Sequence, residues 1–308
     1  MRWLAIALVV LGCGEAEDAS LESRLLAALP TEAQLEIDLP DDGDAASKPG
    51  VLGRSRYADS VRGIGLSLRT NVAAVLRPVR AALTAAGQTR GKRRLTWTAD
   101  DVARRVLLSA EEGEDGHVAY SLAVRHEGHW RPLIAGSVTP GPKGGQGAIW
   151  IDLRYDQSDA TNGRLLALYD FEGEGRSVTV YAYGATGVTD DGAAPSRVFH
   201  FQRTRSEGLL AYARAGFNIH RVPTKSAGEQ VMIVARWNDA GGRADVLASG
   251  GDLPGDGFAS ARGSECWSRA TSEAVWGEIF GVRADGSEVA LGADGDAASC
   301  AYPDATLV

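Results

Sequence analysis

The chain has 308 residues, 44% of them hydrophobic, with 32 basic against 40 acidic side chains and a formal charge of −8. That acidity argues against nucleic acid as a partner, because phosphates demand a basic surface. Length and apolar content together mark a globular chain able to bury a full core, as one large or two smaller domains.

Met1 and Arg2 precede an apolar run from Trp3 to Leu11, followed by Gly12 and Cys13. A charged start, a short hydrophobic core and a small residue at a cut site are the parts of a signal peptide. The run is far shorter than the ~20 residues a membrane-spanning helix needs. No later stretch reaches that length without charges. Val10-Leu11-Gly12-Cys13 resembles the lipobox of bacterial lipoproteins, although Leu11 stands where that motif usually has a smaller or β-branched residue. The resemblance implies that residues 1–12 are removed and that Cys13 is acylated, by palmitate or a similar fatty acid. Its partner is then a lipid bilayer. Ordinary secretion with cleavage nearby is the competing reading. Gly14, in place of an aspartate that resembles an inner-membrane retention signal, implies the outer membrane, with the body in the periplasm or at the cell surface. Losing residues 1–12 removes Arg2 and brings the formal charge to −9.

Three cysteines leave one unpaired in an oxidising compartment. With lipid on Cys13, the remaining pair is Cys266 and Cys300, both in polar, turn-like sequence, and a disulfide between them is expected. Two separate buried thiols are the alternative.

Residues 13–30 read as a lipid-anchored tether, acidic and small from Gly14 to Ser23 and closed by a helical turn, Ser23 to Leu29, that Pro30 ends. Leu35, Ile37 and Leu39 alternate with Gln34, Glu36 and Asp38, which predicts a strand over 33–39. Residues 41–54 read as loop. From 57 to 86, Val61, Ile64, Leu68, Val72, Leu76, Val79 and Leu83 step by three or four and form one stripe, with arginines mostly away from it. This is an amphipathic helix. Pro78 predicts a kink or break inside it, since proline lacks the N–H a helix interior uses. Gly87 closes it. Arginines on its wet face would also suit a membrane surface, but the apolar stripe lacks Trp and Phe, so packing on a sheet is the better expectation. Arg90, Lys92, Arg93 and Arg94 read as a solvated turn.

Beyond Thr89 the period becomes two. Val118 to Val124, Ile149 to Tyr155, Val178 to Tyr183, Val198 to Gln202, Val231 to Trp237 and Ala274 to Phe280 read as strands, separated by Gly- and Asp-rich turns. Tight turns impose antiparallel pairing, because parallel strands need long crossovers. The expected fold is α+β, mainly β, in one domain over 31–308. It is a large curved, mostly antiparallel sheet or half-barrel with the amphipathic helix on one face.

Chemistry-bearing motifs are scarce. Gly-x-Ser-x-Gly is absent, so no nucleophile elbow is read. His126-Glu127-Gly128-His129 predicts a two-residue hairpin turn with the histidines opposite each other, but two ligands fall short of a zinc site. His117, His200 and His220 stand alone. The acidic stretches 41–44, 190–191, 252–256 and 294–296 lack the twelve-residue calcium loop and read as solvated turns, with weak structural calcium as the alternative. Gly144 to Gly147 precedes a strand and offers no helix N-terminus to phosphate. No catalytic residue, metal ligand or cofactor is assigned.

Ala-Arg-Trp-Asn ending at Asn238, Gly241-Gly-Arg-Ala-Asp-Val, Ser249-Gly-Gly-Asp-Leu and Ser264-Glu-Cys-Trp look like a group of predicted bacterial lipoproteins of unknown function, as do the helix and the Gly-x-Gly-Ala-Ile-Trp-Ile-Asp segment at 145–152. The resemblance implies a shared fold and envelope location, and no activity. The expectation is a non-enzymatic, membrane-tethered body holding an apolar ligand or lipid between helix and sheet, lined by Ile64, Leu68, Val72 and Leu76. A half-barrel closed by a helix is also the plan of periplasmic lipoprotein carriers, an analogy of architecture alone. An assembly partner of another envelope protein is the alternative, and a hydrolase built from distant residues the third.

Overall fold

A computed structural model describes residues 20–36, 55–84, 89–90, 93–100, 105–126, 128–141, 144–152, 163–171, 175–183, 195–219, 224–225, 227–268 and 273–305. The signal segment, Cys13, the loop 41–54, Gly87, Lys92, the acidic stretch 190–191 and His220 lie outside the described residues.

Among the described residues fifteen strands follow one another: β1 (Thr89–Arg90), β2 (Arg94–Asp100), β3 (Arg105–Glu112), β4 (Val118–His126), β5 (His129–Gly141), β6 (Gly144–Asp152), β7 (Arg164–Asp170) and β8 (Arg176–Tyr183), then β9 (Arg197–Arg203), β10 (Gly208–Phe217), β11 (Glu229–Trp237), β12 (Gly241–Gly250), β13 (Ser260–Ser268), β14 (Ala274–Val282) and β15 (Glu288–Gly295). They form one curved, open sheet in strict sequence order. Neighbours in sequence are neighbours in the ladder, and every pairing is antiparallel. The expected fold class is therefore the observed one.

One face of the sheet carries two helices, α1 (Leu21–Ala28) and α2 (Arg56–Thr84). At 1.5 Å per residue α2 is about 44 Å long, enough to cross many strands spaced ~4.8 Å apart. Its N-terminal half sets Ala58, Val61 and Leu68 among Phe199, Phe201, Leu210, Trp237 and Trp267 of β9 to β13. Its C-terminal half brings Leu76, Val79, Ala82 and Leu83 to Leu25 and Leu29 beside α1, over Leu108, Tyr120, Ile149 and Tyr169 of β3 to β7. The stripe read from the sequence is thus the buried one. Of the two outcomes expected at Pro78, a kink or a break, the break does not occur: the helix runs on through it. Leu76 and Val79 on either side are buried, at 1% and 0% exposure, and that packing outweighs one lost backbone bond.

The N-terminus of α2 is fixed from the sheet. Glu265 on β13 accepts from the Ser55 hydroxyl and from Tyr57 N at 3.0 Å, while Ser55 Oγ accepts from Ala58 N at 3.0 Å. Two of the N–H groups that a helix start leaves without partners are thereby satisfied. Burial, and next the charge of Glu265, push the Tyr57 phenol up to about 12.

Aromatic rings on the helix face lie over glycines of the adjacent strand. Tyr120 faces Gly136, Tyr169 faces Gly147, Trp237 faces Gly208 and Trp267 faces Gly242. A methyl group at any of these glycines would collide with the ring. Gly144 to Gly147, expected ahead of a strand, therefore lie within β6, where Gly145 also takes the close approach of Ala28.

Two further expectations are corrected. Residues 33–36 are not strand: Ala33–Leu35 form a 3-10 turn. Thr31 N and Oγ1 both donate to Gln34 Oε1, at 2.8 and 2.9 Å, and this closure holds the turn. The helix read as the end of a tether is longer, and Leu21, Leu25, Ala28 and Leu29 belong to the core, so the body includes residues assigned to the tether.

After β15 the chain returns across the opposite, outer face. Cys300 is bonded to Cys266, with Cα atoms 5.5 Å apart, as expected. Cys266 itself is fully buried in β13, however, and not in a turn. Arg243 donates to the Pro303 carbonyl, Asp245 Oδ2 accepts from Ala305 N at 2.7 Å, and Arg236 sits 5.1 Å over the Tyr302 ring. The segment is a strap fastened at four points.

Candidate functional site

Ser20 opens α1 by accepting from Ser23 N at 3.3 Å, and Pro30 stands two residues beyond its end. The Thr31–Gln34 closure then turns the chain back so that Leu35, 1% exposed, packs into the same core. A helix end leaves carbonyls without partners. Here Arg80 of α2 supplies them: its Nη2 donates to the carbonyls of Leu29 at 2.8 Å and Pro30 at 2.7 Å. A cation at a helix C-terminus also complements the dipole.

Between α1, this turn and the C-terminal half of α2 runs a groove of about 380 Å³, with Leu26, Pro30, Leu35, Ala73, Leu76 and Ala81 as apolar walls and Thr31, Glu32, Arg77, Arg80 and Thr84 as its polar groups. The volume is in the range of small-molecule sites, roughly 300 to 1,000 Å³. Arg80 is half-buried, and burial pulls its guanidinium below its ordinary pKa. It still carries its charge, as arginine does in proteins. Apart from Nη2, its nitrogens meet no acceptor among the described residues. Arg77 is exposed and likewise has no described acceptor. Behind Arg80 the hydroxyls of Tyr120 and Tyr169 are buried with no described hydrogen-bond partner. Burial raises both phenols, and the Arg80 charge pulls them back down.

The four residues expected to line a ligand space divide. Leu76 does line the groove. Leu68 is buried in the cluster with Phe201 and Trp237, Ile64 packs against that cluster, and Val72 touches both cores. The groove thus lies on the α1 flank of α2. Leu26, Leu35, Arg77 and Arg80 were not singled out by the sequence, since they come together only through the Arg80 clamp.

The other polar groups serve the fold. His126 and His129 are opposite each other in the β4–β5 ladder, as the hairpin reading expected, with Gly128 at φ 81° and His129 exposed. Among the described residues no three His, Cys, Asp or Glu side chains gather to hold a metal. His117 Nδ1 meets Thr139 Oγ1 at 3.1 Å, and His200 Nδ1 meets Thr179 Oγ1 at 2.8 Å, with burial lowering the His200 pKa. Asp285 and Asp296 accept from backbone N–H groups in their own turns, and Asp252 accepts from Ala227 N at 2.9 Å in a different loop. Bonds from Ser287 hold the Asp285 carboxyl below its ordinary range. Buried Glu229 accepts from Ile219 N at 3.0 Å and Asp252 N at 3.1 Å, tying two loops together. No helix among the described residues is long and apolar enough to cross a membrane.

No protein-family model matches the chain, and neither a curated protein nor a solved structure is detectably similar to it.

Proposed function

We propose that this protein is a lipoprotein of the bacterial cell envelope, cut before Cys13 and held at the outer membrane by lipid on that cysteine, with a non-enzymatic body that holds an apolar ligand. The observation that carries the reading is the Cys266–Cys300 bridge. It consumes two of the three cysteines and leaves Cys13, in its Val-Leu-Gly-Cys setting, as the remaining thiol. The apolar walls of the groove support the second half of the reading.

The test is fractionation of cells fed labelled palmitate. The natural chain is expected in the membrane fraction carrying label. A Cys13→Ser chain is expected to lose both label and sedimentation. If the variant keeps its label and its membrane fraction, the reading fails.

One observation favours an assembly partner instead. Trp150, Leu166, Tyr181, Val198, Ala213, Met232 and Leu247 are successive register neighbours on the outer face, across seven strands, and Leu247 is 42% exposed. An apolar row of this length on a solvated face is a recognition feature. Under that reading a stoichiometric envelope partner co-purifies with the natural chain and is lost from a Leu166→Lys, Leu247→Glu chain. Ligand binding in the groove then stays unchanged.

A further inference from the structure

We propose that the groove between α1 and α2 takes a single-chain amphiphile with an anionic head, its acyl chain against Leu26, Ala73 and Ala81 and its carboxylate or phosphate against Arg77 and Arg80. This rests on the apolar-ligand reading and names the class of ligand.

Charge complementarity chooses the head. The chain is acidic overall, yet the α2 wall of the groove presents two arginines one helical turn apart. Neither is neutralised by a described carboxylate, and the groove's own acid, Glu32, is exposed on the α1 side. Arg80 is partly withdrawn from water with donors left over after Leu29 and Pro30 are served. Its remaining nitrogens are not enclosed, and an anion at the two arginines gains charge-assisted hydrogen bonds. A neutral guest gains weaker bonds, and a cationic one is repelled.

Shape chooses the tail. Apart from the arginines, Thr31, Glu32 and Thr84, the accessible wall is the hydrocarbon of Leu26, Ala73 and Ala81, and about 380 Å³ lies near the lower end of small-molecule sites, which suits one chain and not two. A free fatty acid and an anionic lysophospholipid share this chemistry.

The experiment is titration calorimetry on the full chain carrying Cys13→Ser, so that no covalent lipid competes, with probes below their micelle concentrations at neutral pH. The probes are dodecanoate, dodecanol, dodecyltrimethylammonium and dodecanoyl lysophosphatidylglycerol. One anionic amphiphile should bind per chain, at least about tenfold tighter than dodecanol and tighter still than the cation. Which of the two anions binds better identifies the source of the ligand. Arg77→Glu, at an exposed position with no described partner, should abolish that preference. Ala73→Phe should block all the probes. If dodecanoate and dodecanol bind equally and Arg77→Glu changes nothing, the anionic head is wrong while the apolar ligand stands. Absence of binding by any probe overturns both.

Discussion

Under the C-terminal half of α2 the sheet lays tyrosines over glycines and receives a second helix; under the N-terminal half it lays tryptophans over glycines and receives none among the described residues. In the first region α1 brings Leu25 and Leu29 into the core, and two helices resting side by side leave a groove between their flanks. In the second, Trp237, Trp267 and Phe201 pack with Phe199, Leu210 and the α2 side chains, and the additional covering element is the strap on the opposite face. The described groove therefore lies beside the extra helix, and the large rings lie in the other region. The ligand reading belongs to the first region.

The largest test of that contrast removes a ring. Trp237 is 1% exposed, and Trp237→Ala should cost about 3 to 5 kcal/mol in denaturant unfolding. Tyr120→Phe in the other region deletes only a hydroxyl without a described partner and should change stability by less than ~1 kcal/mol. A loss below about 1 kcal/mol at Trp237 would show that its ring does not fill a packed core, and a loss of several kcal/mol at Tyr120 would show that its hydroxyl has a partner. Next in size is the strap. The bridge closes a separation of 34 residues, and Cys266→Ala with Cys300→Ala should cost roughly 3 to 4 kcal/mol on the chain-entropy model while leaving the groove's ligand affinity unchanged. A parallel fall in affinity would show that the regions are coupled.

The smallest effect separates the regions by pH. Arg24 of α1 grips Glu112 of β3 through both carboxylate oxygens, one at 2.7 Å, and this bond holds the Glu112 carboxyl below its ordinary range. A depressed carboxylate pKa adds stability that is present above the unfolded value, about 4.3, and is lost as pH falls through the folded one. Acidification should therefore loosen the α1 side by up to about 1 kcal/mol, given the partly exposed pair. Glu112→Gln should remove that part of the acid sensitivity, as read from hydrogen exchange in α1.

Much of this architecture was legible because burial imposed a period. The α2 stripe repeats often enough to be unambiguous, and six strands alternate cleanly. The others do not, for two physical reasons. In β7 the outer-face Leu166 and Leu168 join the inner-face Leu165 and Tyr169, so alternation vanishes where the outer face is itself apolar. In β10 and β12 the inner positions Gly208 and Gly242 are empty because a ring from the next strand occupies them. Leu35 alternates with its neighbours as a strand residue would, yet a side-chain closure three residues long decided its backbone. The disulfide was readable by counting. The groove was not, since Arg80 reaches carbonyls some fifty positions away.

The central claim, a body tethered through Cys13, is tested most directly by the intact mass of the chain isolated from membranes. The expected mass is that of a polypeptide that begins at Cys13 and carries a lipid on that residue. A chain that begins elsewhere, or whose Cys13 is an unmodified thiol, would contradict it.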